Sequence, residues 1–339
     1  MIEDPDYMIK TEEIETETPL ETRRFPVLAQ LTVLGFVLAL IFTASAIPKM
    51  LALKNATGDN PAPTAPLVTG QNTLEHIPPI TDVTIEGTAA FVYDVKAKKA
   101  LFVKGADKVL PLASITKLMT ALVAHELVDE NKQITVPGSA ISQSGASGLA
   151  EGERMSAQAL SDYAMLASSN DAAYALANAV GAVIDNSDPN QTFVNAMNIR
   201  AEELGLNNFT FYNPTGLDID SKQAGAFGTA REVTFLMEYI LENYPNILEP
   251  STFTSTRVYN TAGSYHSAEN TNPIVTQIPN LLGSKTGYTD IAGGNLTIAF
   301  DAGYNRPVIV TVLGSSYDGR FTDVKKLVQA VTNSLQTSE

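Results

Sequence analysis

The stretch Leu281–Leu313, LLGSKTGYTDIAGGNLTIAFDAGYNRPVIVTVL, holds three strand patterns in succession, at Leu281–Gly287, Gly294–Phe300 and Pro307–Leu313. Each is apolar or β-branched and bounded by Gly, Asp, Asn or Pro, which favour turns. Two more patterns stand far upstream, Ala89–Val95 and Lys99–Val103, around a Lys/Ala turn that predicts a hairpin. Between the two groups helical patterning dominates, over residues 114–129, 156–167, 170–183, 189–204 and 230–242, and a last amphipathic pattern runs from Phe321 to Leu335. Strands at both ends with helices between them predict an α+β fold. The terminal strands would share one antiparallel sheet flanked by terminal helices, with an all-helical lobe inserted from the middle of the chain.

Composition narrows the chemistry. The formal net charge is −15, and no basic stripe interleaves with aromatics, so nucleic acid is excluded as a partner. Cysteine is absent, which removes disulfides, thiolate metal sites and cysteine nucleophiles together. Three histidines, His76, His125 and His266, leave little material for a His-based metal site or a Ser-His-Asp triad. His125 falls in a helical pattern and His266 in a loop, and neither is assigned a role.

The N-terminal quarter is organised differently. Residues 1–24 carry eight acids and three bases with almost no apolar periodicity, and read as a disordered cytoplasmic tail. From Val27 to Ile47 no charge occurs over 21 residues, close to the ~20 that cross a bilayer as a helix. Residues 25–47 are therefore expected to be an uncleaved membrane anchor; Ala44-Ser45-Ala46 keeps a cleaved signal peptide as the alternative. Residues 48–81, rich in Pro, Thr and Asn, read as a linker, leaving 82–339 as the folded domain.

Three short motifs carry candidate chemistry. Ser114 and Lys117 stand three apart at the start of an apolar helical pattern, so that a hydroxyl and an amine can meet on one face. A serine is a weak nucleophile until a base takes its proton, and a buried lysine is such a base once it is neutral. Alone this spacing is also that of an ordinary helix cap followed by a surface lysine. Ser168-Ser169-Asn170 lies between two helical patterns, where a polar capped junction is the plainer reading. Lys285-Thr286-Gly287 ends a strand pattern, as a strand running into a turn does.

As an ordered set, Ser114-x-x-Lys117, Ser168-x-Asn170 and Lys285-Thr286-Gly287 resemble the three motifs of penicillin-binding serine D,D-peptidases and serine β-lactamases. The flanking residues, Pro111–Thr120, Ser168–Ala173, Asn213–Asp218, Asn270–Asn272 and Gly283–Asp290, are most similar to the D-alanyl-D-alanine carboxypeptidase group. The likeness runs from about Thr88 to Val328. It implies the β-lactamase/DD-peptidase-like fold and an acyl-enzyme on Ser114, with Lys117 as base and Ser168 as proton relay. It further implies that Asn170 holds the substrate amide and Lys285 and Thr286 the terminal carboxylate. Gly287 would leave room for substrate beside the strand, and the backbone N–H groups of Ser114 and Tyr288 would form the oxyanion hole. Peptidoglycan stem peptides would be the substrate, β-lactams covalent inhibitors at Ser114, and no cofactor or metal would be needed. The catalytic domain would then lie outside a bacterial cell membrane, held by residues 27–47.

The family often continues into a second β-rich domain and attaches at its C-terminus, whereas here the apolar segment precedes the domain. Carboxypeptidase is therefore the favoured reading, with a D,D-endopeptidase cutting cross-links as the alternative. A class A-like β-lactamase would need a carboxylate for deacylation, and Glu203 in Glu203-Leu204-Gly205-Leu206-Asn207 is the residue at a fitting position; a helix closed by Gly205 is the plainer reading. A non-catalytic wall-binding module would be expected to have lost Ser114, Lys117 or Lys285, and all three are present.

Overall fold

The computed structural model describes residues 79–145, 147–303 and 305–336. The expected tail, the anchor at 25–47 and the linker up to residue 78 lie outside them. Ile80 already donates its N–H to the Leu101 carbonyl at 2.8 Å, so the folded part includes residues assigned above to the linker.

In chain order the strands are β1 (Ala89–Asp94), β2 (Lys99–Lys104), β3 (Leu110–Pro111), β4 (Gln133–Thr135), β5 (Arg154–Ser156), β6 (Thr210–Phe211), β7 (Ala226–Gly228), β8 (Ser255–Tyr259), β9 (Tyr265–Glu269), β10 (Leu281–Thr289), β11 (Gly293–Asp301) and β12 (Pro307–Ser315). The helices are α1 (Lys117–Leu127), α2 (Gly138–Ile141), α3 (Ala157–Leu166), α4 (Asn170–Ile184), α5 (Pro189–Glu203), α6 (Ala230–Asn243) and α7 (Gly319–Gln336).

The five long strands form one antiparallel sheet in the order β10-β11-β12-β1-β2. The upstream hairpin thus joins the downstream strands by pairing β1 with β12, Val92 opposite Val310. Side chains alternate across a strand, so the central strands feed two cores. Ala90, Val92, Val308, Val310 and Val312 pack with Phe321, Val324, Leu327 and Val331 of α7. Phe91, Tyr93, Ile309 and Leu313 face the other way and join the core of α6 and the helical lobe. Both faces are covered, which is why β1 is buried along its whole length rather than in alternation. Of the expected terminal helices only α7 is terminal among the described residues; the opposite face is covered by α6, drawn from inside the chain.

In the lobe α1 is buried on every side from Lys117 to Ala124, as a helix surrounded by others must be. It packs against α3, α4, α5 and α6. Two features departed from expectation. Residues 255–269 form the hairpin β8–β9, whose polar, half-exposed strands carry no apolar alternation strong enough to read. His266 accordingly lies in β9, not in a loop, with its Nε2 2.7 Å from Glu153 Oε1 and its ring stacked on Tyr163. Among the described residues no helix is long and apolar enough to cross a membrane.

Candidate active site

The chain reaches Ser114 from β3, a two-residue strand paired with β7. Ala113 then takes φ +49°, a left-handed conformation that costs a non-glycine residue about 1–2 kcal/mol. Its carbonyl accepts from Thr116 Oγ1 at 2.7 Å, which closes the 3₁₀ turn Ala113–Thr116. In that geometry residues three apart eclipse one another. Lys117, the first residue of α1, is thereby brought under Ser114, with its Nζ 2.8 Å from Ser114 Oγ. The expected meeting of hydroxyl and amine is present, produced by the tight turn rather than by the α-helix itself.

Two further acceptors surround the Lys117 amine: Asn170 Oδ1 at 2.7 Å and the Thr215 carbonyl at 2.8 Å. The side chain has no exposure. Burial, and secondarily the charge of Lys285, hold its pKa well below the ordinary lysine range. Thr215 was not singled out from the sequence because it contributes a backbone oxygen, whose aim depends on the surrounding turn. Asn213 sets that turn, its Oδ1 accepting from the N–H groups of Thr215 and Gly216 at 3.1 and 2.7 Å.

Ser168 also sits at positive φ, +57°, between α3 and α4. Ser169 caps α4 by accepting from Ala172 N at 3.0 Å, and Asn170 opens the helix pointing at Lys117. The polar junction expected at this position therefore exists and at the same time delivers two side chains into the cleft. Asn170 is engaged at both ends of its amide, since its Nδ2 donates to the Ser144 carbonyl at 2.8 Å.

Lys285, Thr286, Gly287 and Tyr288 lie on β10, the edge strand facing the Ser114 turn. Lys285 Nζ donates to Ser168 Oγ at 2.8 Å and to the Thr286 carbonyl at 2.9 Å. Thr286 Oγ1 meets Thr271 Oγ1 at 2.6 Å, a partner that only the tertiary fold supplies. Gly287 also has a reason within the fold to lack a side chain. A Cβ there would stand 2.8 Å from the Leu112 carbonyl and 3.2 Å from the N atoms of Ser114 and Ile115, so the missing side chain admits the nucleophile's own turn. That approach places the Ser114 turn against the strand leading to Tyr288. Arg320 of α7, buried, donates from Nη1 to the Gly287 carbonyl at 2.6 Å and stacks on Tyr317.

Burial, with the guanidinium of Arg320 second, brings the Lys285 pKa down to about 7. In the unfolded chain the amine regains its ordinary value of 10.5. Between these values the unfolded state binds the extra proton, so this group adds stability as pH rises from about 7 towards 10.5 and removes it as pH falls back. Thermal melts between pH 7 and 10 should accordingly show a shallower rise for Lys285→Met than for the wild type. Equal slopes would contradict a depressed Lys285.

Glu203 ends α5 at the surface, paired with Arg200 at 2.9 Å. Arg200 in turn holds Glu126, nine residues along α1 from Lys117 and hence roughly 13 Å down that helix. Glu203 is thus outside the cluster formed by Ser114, Lys117, Ser168, Asn170 and Lys285.

Residues 74–317 match the family model of D-alanyl-D-alanine carboxypeptidases. A D-alanyl-D-alanine carboxypeptidase of Bacillus subtilis is 29% identical over 264 residues, 76% of this chain and 65% of the relative. A D-alanyl-D-alanine endopeptidase of Escherichia coli is 29% identical over 243 residues, 70% of this chain and 74% of that protein. Among solved structures, penicillin-binding protein D2 of Listeria monocytogenes in its cefotaxime-bound form superposes with a TM-score of 0.63 at 28% identity, covering 74% of this chain and 99% of that one. The chain therefore spans just under two thirds of the Bacillus relative's length while matching the Listeria structure nearly end to end. The family match takes in both the helical lobe and the edge strand that meet at Ser114, and the chain belongs to the D-alanyl-D-alanine carboxypeptidase family of serine peptidases.

Proposed function

We propose that this protein is a serine-type D-alanyl-D-alanine carboxypeptidase that removes the terminal D-alanine from peptidoglycan stem pentapeptides. The observation that carries the reading is the set of partners around Lys117 Nζ. A neutral amine has two N–H groups and one lone pair. Asn170 Oδ1 and the Thr215 carbonyl can only accept, whereas the Ser114 hydroxyl can donate. With Lys117 neutral, the lone pair therefore faces Ser114, which makes the lysine a base poised 2.8 Å from the oxygen whose proton it takes.

Ser114 Oγ attacks the carbonyl carbon of the penultimate D-alanine as its proton moves to Lys117 Nζ. The developing oxyanion is met by the N–H groups of Ser114 and Tyr288, the kind of contact whose loss costs roughly 10²–10³ in rate. Collapse of this intermediate breaks the peptide C–N bond, and the leaving amine takes a proton by way of Ser168. Lys285, charged, attracts the terminal carboxylate beside Thr286. Water then attacks the ester on Ser114 and releases the shortened peptide. β-Lactams enter as acylating analogues of the same bond. We further place the domain outside a bacterial cell membrane, tethered through residues 27–47.

The test is intact-protein mass spectrometry after exposure to benzylpenicillin. The expected result is one adduct on the wild type and none on Ser114→Ala; an unlabelled wild type refutes the reading. The endopeptidase relative supports a second reading, hydrolysis of D,D cross-links at the same serine. Release of D-alanine from a pentapeptide, set against cleavage of a cross-linked dimer, separates the two.

A further inference from the structure

Asp171 is a buried carboxylate that the steps above do not use. It is the second residue of α4, next to Asn170, and is 1% exposed. Its Oδ2 accepts from Ser147 twice, from the backbone N at 2.9 Å and from Oγ at 3.0 Å. Its Oδ1 is buried without a partner. A buried carboxylate with half its acceptor capacity unused costs stability, so its presence calls for a role.

Ser147 is held from two further directions. Its Oγ lies 2.5 Å from Oγ of Ser169, the cap of α4, and its carbonyl accepts from Tyr163 OH. Three residues before it, the Ser144 carbonyl accepts from Asn170 Nδ2. That bond decides which way the Asn170 amide faces. With Nδ2 turned to Ser144, Oδ1 must face Lys117 Nζ, where it accepts at 2.7 Å. If Ser144 moved away, the amide would be free to rotate and present its NH₂ to the amine, a donor facing a donor.

We infer that Asp171 is a positioning residue for the reaction: it anchors Ser147, thereby holds the Ser144 carbonyl against Asn170, and so keeps the Asn170 oxygen on Lys117. The inference rests on the functional reading above. Asp171 touches neither Ser114 nor Lys117, and it acts only through Asn170.

The test follows acylation of the full chain by a fluorescent penicillin over a range of concentrations, which separates initial binding from the acylation step. Asp171→Asn should slow the acylation step by roughly tenfold, the loss expected for a charged hydrogen bond, with initial binding unchanged. Ser147→Ala, which keeps the backbone N–H and deletes one bond, should slow it by roughly threefold. Because both act through Asn170, adding either change to Asn170→Ala should slow acylation no further. Losses that multiply in these pairs, or wild-type acylation by Asp171→Asn, overturn the inference. Should Asp171→Asn fail to fold, the Ser147→Ala pair decides by the same criterion. An unlabelled wild type refutes the functional reading and this inference with it, whereas normal labelling of wild type and Asp171→Asn alike refutes the inference alone.

Discussion

Lys117→Met should lower the rate of acylation by benzylpenicillin by roughly 10³-fold, within the range that a positioned general base supplies. Methionine nearly matches the length of the lysine stem and is apolar, so the fully buried site remains filled. What disappears is the nitrogen that joins Ser114 Oγ, Asn170 Oδ1 and the Thr215 carbonyl. Without it, the Ser114 hydroxyl has lost the base seen beside it. Stability responds to two opposing terms. The two remaining acceptors lose their donor, at about 1–3 kcal/mol each. Against that, a group whose charged form is strongly penalised by burial has been removed. The folded protein should therefore survive with a modest change in Tm. Stopped-flow or gel-based labelling beside a thermal melt checks both points. Acylation within tenfold of wild type, on a folded chain, would exclude Lys117 as the base.

Gly216→Ala is expected to cost about 3–5 kcal/mol of stability and to impair acylation together with it. The glycine sits at φ +79°, and a Cβ there would fall 1.9 Å from the Ala113 carbonyl oxygen and 2.6 Å from Thr116 Oγ1. Neither is the end of a flexible side chain. The clash can be relieved only by moving the Ser114 turn or the loop that carries the Thr215 carbonyl to Lys117. Gly205→Ala is the control, because Gly205 has a similar φ of +73° but open space where the Cβ would go. It should lose only about 1–2 kcal/mol, the cost of a left-handed alanine. Urea denaturation of the two variants separates close approach from backbone preference. Equal losses would show that the contact with Ala113 carries no weight.

The expectations that held are those with a local physical basis. The helices at 157–166, 170–184, 189–203 and 230–243, and the three downstream strands, lie within a residue or two of their patterns, because apolar periodicity and turn residues mark them directly. The hairpin β8–β9 and the two-residue strand β3 were not legible, being too polar or too short to have a period. In the site, the residues of the three motifs were recognisable as an ordered set. The parts played by Thr215, Thr271, Arg320 and Asp171 were not, although all but Arg320 lie in the stretches that carry the resemblance. Thr215 acts through a backbone oxygen, Thr271 and Arg320 through single long-range contacts, and Asp171 through a neighbour's neighbour. No spacing rule announces any of these.

Ser114, Lys117, Ser168, Asn170, Lys285 and Gly287 could be picked out because their motifs, as an ordered set, resemble those of a known family, and an α+β architecture was expected from local patterning and order along the chain. Folding decided what those groups do to one another. Gly287 admits the nucleophile's turn to the edge strand, burial lowers the pKa of two lysines, and Asn170 is turned by a carbonyl from outside its own helix. Such properties depend on distance, dielectric and hydrogen-bond direction across segments far apart in sequence, and these acquire values only when the chain is packed.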